Sequence, residues 1–282
     1  YIRMFFRPLR DLAEKYNILQ NAMASAERIF LVLDTRTVLP TPAPPSGGSV
    51  PALTSIEDLR FEEVDFGYLP GEPVLRQVSF RIQQGETVAV VGPTGAGKTS
   101  LISLIPRLYD PTAGRILLNG RDLREYPSAV FRDKMALVMQ ESFLFSGTIR
   151  ENVFDGAGGP APARAEEIIA AANLNGLVGR LPHGLDTLLG ESGSLISSGE
   201  RQLIAIARAF ARNPQLILFD EATSYIDSQT ELLIQQALER LMRQRTALVV
   251  AHRLSTVRNA QRILVMNRGR VIESGSQAEL MA

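Results

Sequence analysis

Residues 92–99 read Gly92-Pro93-Thr94-Gly95-Ala96-Gly97-Lys98-Thr99, which matches the phosphate-binding pattern G-x-x-x-x-G-K-[ST] at every fixed position. The loop follows an apolar run at 88–91 and precedes a helical pattern at 100–108. The glycines let backbone N–H groups approach phosphate oxygens, and the helix N-terminus adds positive partial charge. Lys98 supplies a full charge for the β- and γ-phosphates, and the Thr99 hydroxyl is a predicted Mg²⁺ ligand. The alternative interpretation is a glycine-rich turn without a ligand.

A second apolar run, residues 216–219, is followed directly by Asp220 and Glu221. In open α/β sheets, ligands bind at the carboxyl ends of the strands. Asp220 is therefore predicted to hold Mg²⁺, directly or through water, and Glu221 to orient or deprotonate an attacking water. The alternative is a solvated strand end that precedes a helix cap at Thr223 or Ser224.

A third segment, residues 196–202, precedes a helical pattern with a clear apolar stripe. Ser197 and Glu200 match a capping box, so a purely structural interpretation is open. A capped helix N-terminus with the Ser197 hydroxyl and the Gly199 backbone is also suited to the γ-phosphate of a nucleotide bound by a second molecule.

Composition excludes several other classes of function. The 282 residues have zero formal net charge, so strong attraction to nucleic acid is not indicated, and the chain contains no Cys and two His. Disulfide frameworks, Cys-based metal sites and His-rich metal centres are therefore not expected. Apolar runs fall short of the roughly 18 residues that a membrane span needs. The chain begins at Tyr1 without a signal-peptide pattern, so we expect a fragment of a longer protein.

Three regions are predicted along the chain. Residues 1–39 show apolar side chains at helical spacing, with aromatic and cationic residues side by side near the start, as in a membrane-exit region. An amphipathic helix packed on the domain is the alternative. The Pro- and Gly-rich residues 40–55 predict a linker. Residues 56–282 predict a compact α/β domain with a helical part at about 141–202 and buried parallel strands at 88–91, 135–139, 216–219 and 247–250.

The order of these segments resembles that of ABC transporter nucleotide-binding domains over nearly all of residues 56–282. Residues 196–202 resemble the L-S-G-G-Q signature of that family, with Ile196, Ser198 and Glu200 in place of Leu, the first Gly and Gln. The resemblance implies a RecA-like P-loop NTPase core, a β-rich edge subdomain and a helical signature subdomain. The segments in their family order are the phosphate-binding loop, Gln140, residues 196–202, Asp220-Glu221 and His252.

The resemblance also implies roles for individual residues. Tyr68 matches the aromatic residue that stacks on adenine, although a strand aromatic before a turn is the alternative. Gln140 matches the residue that reaches Mg²⁺ and the attacking water, Asp227 the D-loop aspartate, and His252 the switch histidine that contacts the γ-phosphate. Tyr225 and Ile226 depart from the usual Ala-Leu before that aspartate. The implied ATP-binding set is Tyr68, Gly92, Gly95, Gly97, Lys98, Thr99 and Ser100. The implied set acting on a partner's ATP is Ser197, Ser198, Gly199 and Glu200.

Further similarities point to an exporter of the multidrug-type half-transporter class. Residues 143–152 are similar to the segment after the Q-loop in exporters, and residues 187–193 resemble the exporter X-loop. Residues 1–39 then correspond to the cytoplasmic end of the last transmembrane helix. The implied partners are the chain's own transmembrane domain, absent from this sequence, and a second nucleotide-binding domain, identical or different. The fragment is expected to be soluble, and the full protein to place it at the cytoplasmic face of the cell membrane.

Three other functions are compatible with a phosphate-binding loop but fit the rest of the sequence less well. A soluble ABC ATPase acting on DNA or ribosomes is disfavoured by the zero net charge and by the absence of a long coiled-coil insertion, so no nucleic acid partner is expected. A non-hydrolysing, ATP-gated clamp is disfavoured by the presence of Glu221 and His252. A P-loop kinase needs a phosphoacceptor pocket where this chain has a signature-like segment. The transported substrate is not encoded in this part of the chain.

Overall fold

The computed structural model describes residues 1–35, 53–139, 142–154, 161–189, 196–220, 227–251 and 257–281. Gln140, Glu221 and His252 lie outside these ranges, as does most of the predicted linker. The chain divides into two compact units, residues 1–40 and residues 41–282.

The first unit contains one long helix, α1 (Ile2–Asp34), of 33 residues. Pro8 lies inside it, where the missing N–H removes one intrahelical hydrogen bond without ending the helix. None of the helices in the described ranges has both the length and the apolarity that a bilayer span requires. The assignment of residues 1–39 to the end of a transmembrane helix stays a prediction.

The second unit contains two principal sheets and a set of helices. Its elements, in chain order, are β1 (Asp58–Phe66), β2 (Leu75–Gln83), β3 (Thr87–Val91), α2 (Lys98–Leu104), β4 (Ala113–Leu118), β5 (Arg121–Asp122), α3 (Ser128–Arg132), β6 (Met135–Val138), β7 (Gly147–Thr148), α4 (Ile149–Val153), α5 (Pro162–Ala171), α6 (Asn175–Arg180), β8 (Leu188–Leu189), α7 (Ser198–Arg212), β9 (Leu216–Asp220), α8 (Ser228–Met242), β10 (Thr246–Val250), β11 (Arg262–Asn267), β12 (Arg270–Gly275) and α9 (Gln277–Leu280).

The central sheet has six strands in the order β12-β11-β3-β10-β9-β6, and it is parallel except for β12. Its inner strands β3, β10 and β9 are apolar on both faces because both faces are covered. In β9, for example, Leu218 joins one hydrophobic cluster, and its neighbours Ile217 and Phe219 join another. All four predicted buried strands lie in this sheet, which confirms the α/β prediction.

A four-stranded antiparallel sheet, in the order β2-β1-β4-β5, forms the predicted β-rich edge. Phe61 and Phe80 face each other across β1 and β2 and stack with ring centroids 4.5 Å apart. Strand β1 ends at Phe66, so Tyr68 follows it by two residues.

Helices α4 to α8 contribute to the hydrophobic cluster that covers the other face of the central sheet. Within the predicted helical part, residues 165–174 carry a helical pattern that predicts one helix. In the structure α5 ends at Ala171 and α6 follows, because Asn173 adopts the left-handed conformation with φ 56°. The helix predicted over 100–108 ends at Leu104 in α2. Pro106 lacks an N–H donor, and Arg107 is also left-handed, with φ 53°.

Candidate active site

The loop between β3 and α2 has a backbone that needs glycine. Gly92 and Gly97 have φ of 155° and 96°, and a Cβ on Gly92 would lie 2.2 Å from the carbonyl oxygen of Met266. A Cβ on Gly97 would lie 2.7 Å from Leu75 Cδ2. Gly95 has φ 80°, and no described heavy atom beyond its chain neighbours lies within 4 Å of its Cβ position. The loop is therefore tightly packed at its two ends and open at its centre.

Lys98 brings a cation to this loop from the first turn of α2. Its side chain is 6% exposed, and Nζ donates to the carbonyl oxygens of Gly92 at 2.8 Å and Pro93 at 3.0 Å. Burial lowers the pKa of Lys98, while the negative charge of Asp220 acts in the opposite direction. A partly desolvated ammonium group at a helix N-terminus favours the binding of an anion.

Asp220 lies at the same edge of the sheet as the loop. It is the last residue of β9, is 5% exposed, and pairs with Val250 of β10, which also pairs with Val90 of β3. Thr99 is exposed in the first turn of α2. A hydroxyl and a carboxylate oxygen fit the preference of Mg²⁺, which is commonly held by one or two carboxylates together with substrate phosphates. Among the described residues no group of three or more His, Cys, Asp or Glu gathers, and such a magnesium site does not require one.

Tyr68 is 50% exposed, and its hydroxyl lies 3.0 Å from the hydroxyl of Ser100 in α2. The ring is thus beside the first turn of the helix that follows the phosphate-binding loop. The sequence predicts no role for the Tyr68 hydroxyl, because stacking on a base needs only the ring. The partner of that hydroxyl sits 32 positions along the chain, a pairing that no local pattern reveals.

The signature segment begins α7 with the predicted capping box, which the structure confirms. The Ser197 hydroxyl accepts from the Glu200 N–H at 3.2 Å, and the Ser197 N–H donates to Glu200 Oε2 at 2.9 Å. The other oxygen, Oε1, accepts from Arg180 Nη2 at 2.5 Å. Ser197 and Ser198 are exposed at the helix N-terminus, whereas Gly199 is buried. Arg180 was not found by sequence analysis, since it lies 20 residues upstream.

Asp227 also has a structural role that sequence analysis missed. It is the N-cap of α8, and its Oδ1 accepts from the N–H groups of Gln229 at 3.1 Å and Thr230 at 2.9 Å. The hydrogen bond from the Thr230 backbone is the main cause of a lowered pKa for this carboxyl group. Asp followed by a helical pattern is the local signal for such a cap.

Residues 143–152, the segment that is similar to exporters, contain two exposed aromatic rings. Phe143 is 70% exposed and Phe145 is 60% exposed, and their rings meet edge to face at 5.2 Å. Arg208 of α7 donates to the backbone oxygen and to Oδ1 of the buried Asn152, at 2.7 and 3.0 Å, and lies 5.5 Å from the Phe145 ring centroid. Leu188, on β8, is 71% exposed. We call the two exposed rings of Phe143 and Phe145 the apolar surface.

Comparison with known proteins identifies the family of this chain. A sequence model of the family described as ABC transporter matches residues 75–224. A fatty acid ABC transporter ATP-binding/permease protein of Mycobacterium bovis is 47% identical over 285 residues, which cover 100% of this chain and 44% of the relative. An ATP-dependent lipid A-core flippase of Burkholderia orbicola is 44% identical over 275 residues, covering 97% of this chain and 45% of the relative.

Among solved structures, a bacterial Atm1-family ABC exporter with ATP bound matches with a TM-score of 0.80 and 36% identity, over 100% of this chain and 49% of the other. The fold and the phosphate-binding loop define a P-loop ATPase. The chain belongs to the ABC transporter family, of which it carries the nucleotide-binding ATPase domain. It spans less than half the length of the curated relatives named here.

Proposed function

We propose that this chain binds ATP with Mg²⁺ and hydrolyses it to drive the export of a substrate across a membrane. The observation that carries the proposal is the buried Lys98 in a glycine-dependent loop, with the buried carboxylate of Asp220 at the same sheet edge. A cation for phosphates and an oxygen ligand for a metal then converge where ligands bind in α/β sheets.

Each residue has a distinct role in this proposal. The loop N–H groups and Lys98 hold the β- and γ-phosphates, and the Ser100 hydroxyl adds a further phosphate contact. Thr99 and Asp220, with Gln140, would hold Mg²⁺, which when bound offsets phosphate charge. Tyr68 stacks on adenine.

Hydrolysis transfers the γ-phosphoryl group to water. A bond forms between the water oxygen and phosphorus, the bond to the ADP oxygen breaks, and Glu221 accepts a proton from the water. His252 contacts the γ-phosphate in this proposal, and Gln140 orients the water. These three side chains lie outside the described residues, so their roles rest on the sequence.

The second side of the site comes from another nucleotide-binding domain. The exposed Ser197 and Ser198 and the backbone of Gly199 stand at the N-terminus of a 15-residue helix, where N–H groups and the helix dipole favour an anion. Two domains, identical or different, would close head to tail on two ATP molecules, with Glu200 and Asp227 at their junction.

The apolar surface is suited to the chain's own transmembrane domain. Exposed aromatic rings held in place by a buried polar network are typical of binding surfaces rather than of surfaces that face water. Docking there would place this domain at the cytoplasmic face of the membrane and would transmit the closing of the two domains to the transport pathway.

Phosphate release from ATP by the purified chain tests the proposed chemistry. We expect turnover that depends on Mg²⁺ and is lost in Lys98→Ala, together with nucleotide binding. Lys15→Ala, which removes an exposed cation on α1, serves as the control and should retain activity. Turnover that survives in Lys98→Ala would contradict the proposal.

A further inference from the structure

The ring of Tyr68 is held by two other aromatic rings, both nearly perpendicular to it. Phe66 lies at a centroid distance of 4.9 Å with an interplanar angle of 78°, and Tyr109 at 5.2 Å with an angle of 88°. Edge-to-face pairs at these distances are attractive beyond the area they bury. Phe66 is buried, whereas Tyr109 is 44% exposed and Tyr68 50% exposed. The contact between the two tyrosines is therefore made at the surface, beside the phosphate-binding loop.

Tyr109 itself is carried on a rigid turn. Arg107, two residues before it, is 2% exposed and forms a bidentate ion pair with Asp110, at 2.7 and 3.0 Å. Arg132 donates to the backbone oxygen of Arg107 at 2.7 Å. Bidentate arginine–carboxylate pairs fix direction as well as distance. The turn thus presents Tyr109 in one defined place.

We infer that Tyr109 is a positioning residue for recognition of the adenine base, acting through Tyr68. This inference rests on the proposed stacking of adenine on Tyr68. A ring that is already fixed loses less conformational freedom when a base stacks on it, so pre-organisation raises affinity. Tyr109 supplies that fixation from one side.

The hydroxyl of Ser100 restrains the other end of the Tyr68 ring, because it lies 3.0 Å from the Tyr68 hydroxyl. A serine hydroxyl accepts and donates at the same time. Ser100 is able to accept from Tyr68 while donating to a phosphate oxygen. The base platform and the phosphate site are thereby linked through one side chain.

The experiment compares two ligands, MgATP and magnesium tripolyphosphate, by isothermal titration of the purified chain. Tripolyphosphate retains the phosphates and lacks the base. Tyr109→Ala should weaken ATP binding by about three- to tenfold, the range for loss of one aromatic pair, and leave tripolyphosphate binding unchanged. Tyr109→Phe keeps the ring and should bind ATP like the wild type. Tripolyphosphate binding also reports that each variant is folded, and Tyr109→Leu replaces Tyr109→Ala if the latter fails to fold.

Double substitution separates this inference from the function on which it rests. In a Tyr68→Ala background, Tyr109→Ala should have little further effect, because nothing is left to position. If Tyr68→Ala weakens ATP binding and Tyr109→Ala does not, stacking stands and the role of Tyr109 is overturned. Equal losses for ATP and tripolyphosphate, or losses that add in the double variant, also overturn it. If Tyr68→Ala leaves ATP affinity unchanged, both the stacking and the inference fail.

Discussion

Arg180 donates a hydrogen bond to the carboxylate of Glu200 at a distance of 2.5 Å. Glu200 occupies the position at which the signature of the family has a neutral glutamine. Glu200 also caps the N-terminus of α7, so its negative charge stands beside the anion site proposed for the partner's ATP. Arg180 is thus placed to offset a charge that would otherwise repel phosphate.

We predict that Arg180→Gln weakens ATP-dependent dimerisation and hydrolysis, and that adding Glu200→Gln restores both. Rescue follows because the neutral glutamine needs no partner charge. Thermal stability should change little, since the Arg180 side chain is 55% exposed and an ion pair that water reaches contributes about 0–1 kcal/mol. Arg150→Gln is the control: it breaks a surface ion pair of a similarly exposed arginine with Asp186, at 2.7 Å. Size-exclusion chromatography with ATP and phosphate release give the two readouts, and a double variant as weak as Arg180→Gln would count against this explanation.

Glu221→Gln should abolish turnover and keep the affinity for ATP. Loss of a general base lowers kcat by about 100- to 10,000-fold, whereas ground-state binding does not involve proton transfer. The variant should accumulate as an ATP-dependent dimer, which gel filtration detects. Glu167→Gln, a change to an exposed carboxylate of α5, is the control. Near-normal hydrolysis in Glu221→Gln would remove Glu221 from the catalytic role.

The phosphate-binding loop and the central strands were predictable because a local sequence pattern marks each of them. Residues 92–99 carry their chemistry in consecutive positions, and strands buried on both faces have to be apolar throughout. The side-chain contacts that the sequence did not predict form only between residues that are far apart along the chain. No local sequence pattern marks Arg180, Tyr109 or Arg208. Only the folded chain brings Arg180 to Glu200, Tyr109 to Tyr68 and Arg208 to Asn152.

Asn152 should prove essential to the loop that presents the apolar surface. Its side chain is 2% exposed, accepts from the Phe145 N–H and donates to the backbone oxygens of Phe145 and Thr148, at 2.8, 2.9 and 2.9 Å. Asn152→Ala leaves these groups without their partner, which should cost about 1–3 kcal/mol in urea unfolding. Asn259→Ala, at an exposed asparagine bonded to Glu239, should stay within about 0.5 kcal/mol. Equal stability of the two variants would show that the network does not hold the loop.

Asp227 gives a prediction about pH. Its pKa is lowered in the folded state by the hydrogen bond from the Thr230 backbone, so its stabilising effect is present above the usual aspartate range and is lost as the pH falls through the lowered pKa. The difference in Tm between wild type and Asp227→Ala should therefore be full at neutral pH and shrink in acid. Asp227→Asn keeps a capping oxygen and should preserve most of the stability. A loss of ATPase activity in a stable Asp227→Asn protein would support a role between the two domains, whereas normal activity would leave the residue as a helix cap.

The shared site can be tested by mixing two inactive variants. In a homodimer, Lys98 and Ser197 of one chain serve different ATP molecules, because the phosphate-binding loop wraps one side of the triphosphate and a second surface is needed to exclude water. A mixed dimer of Lys98→Ala and Ser197→Arg chains then has one site with both defects and one with neither. Mixing should restore part of the phosphate release that each variant lacks alone.

The opposite arrangement makes a different prediction. If each chain completed its own site, every site would hold one defect and mixing would restore nothing. Gel filtration with ATP shows in the same samples whether dimers form. If wild-type chains do not dimerise, the partner is a different subunit, and ATP binding by the isolated Ser197→Arg chain becomes the test. That chain should bind ATP with unchanged affinity, since Ser197 acts on the partner's nucleotide while Lys98 holds its own. Loss of binding there would contradict a shared site whether the partner is identical or different.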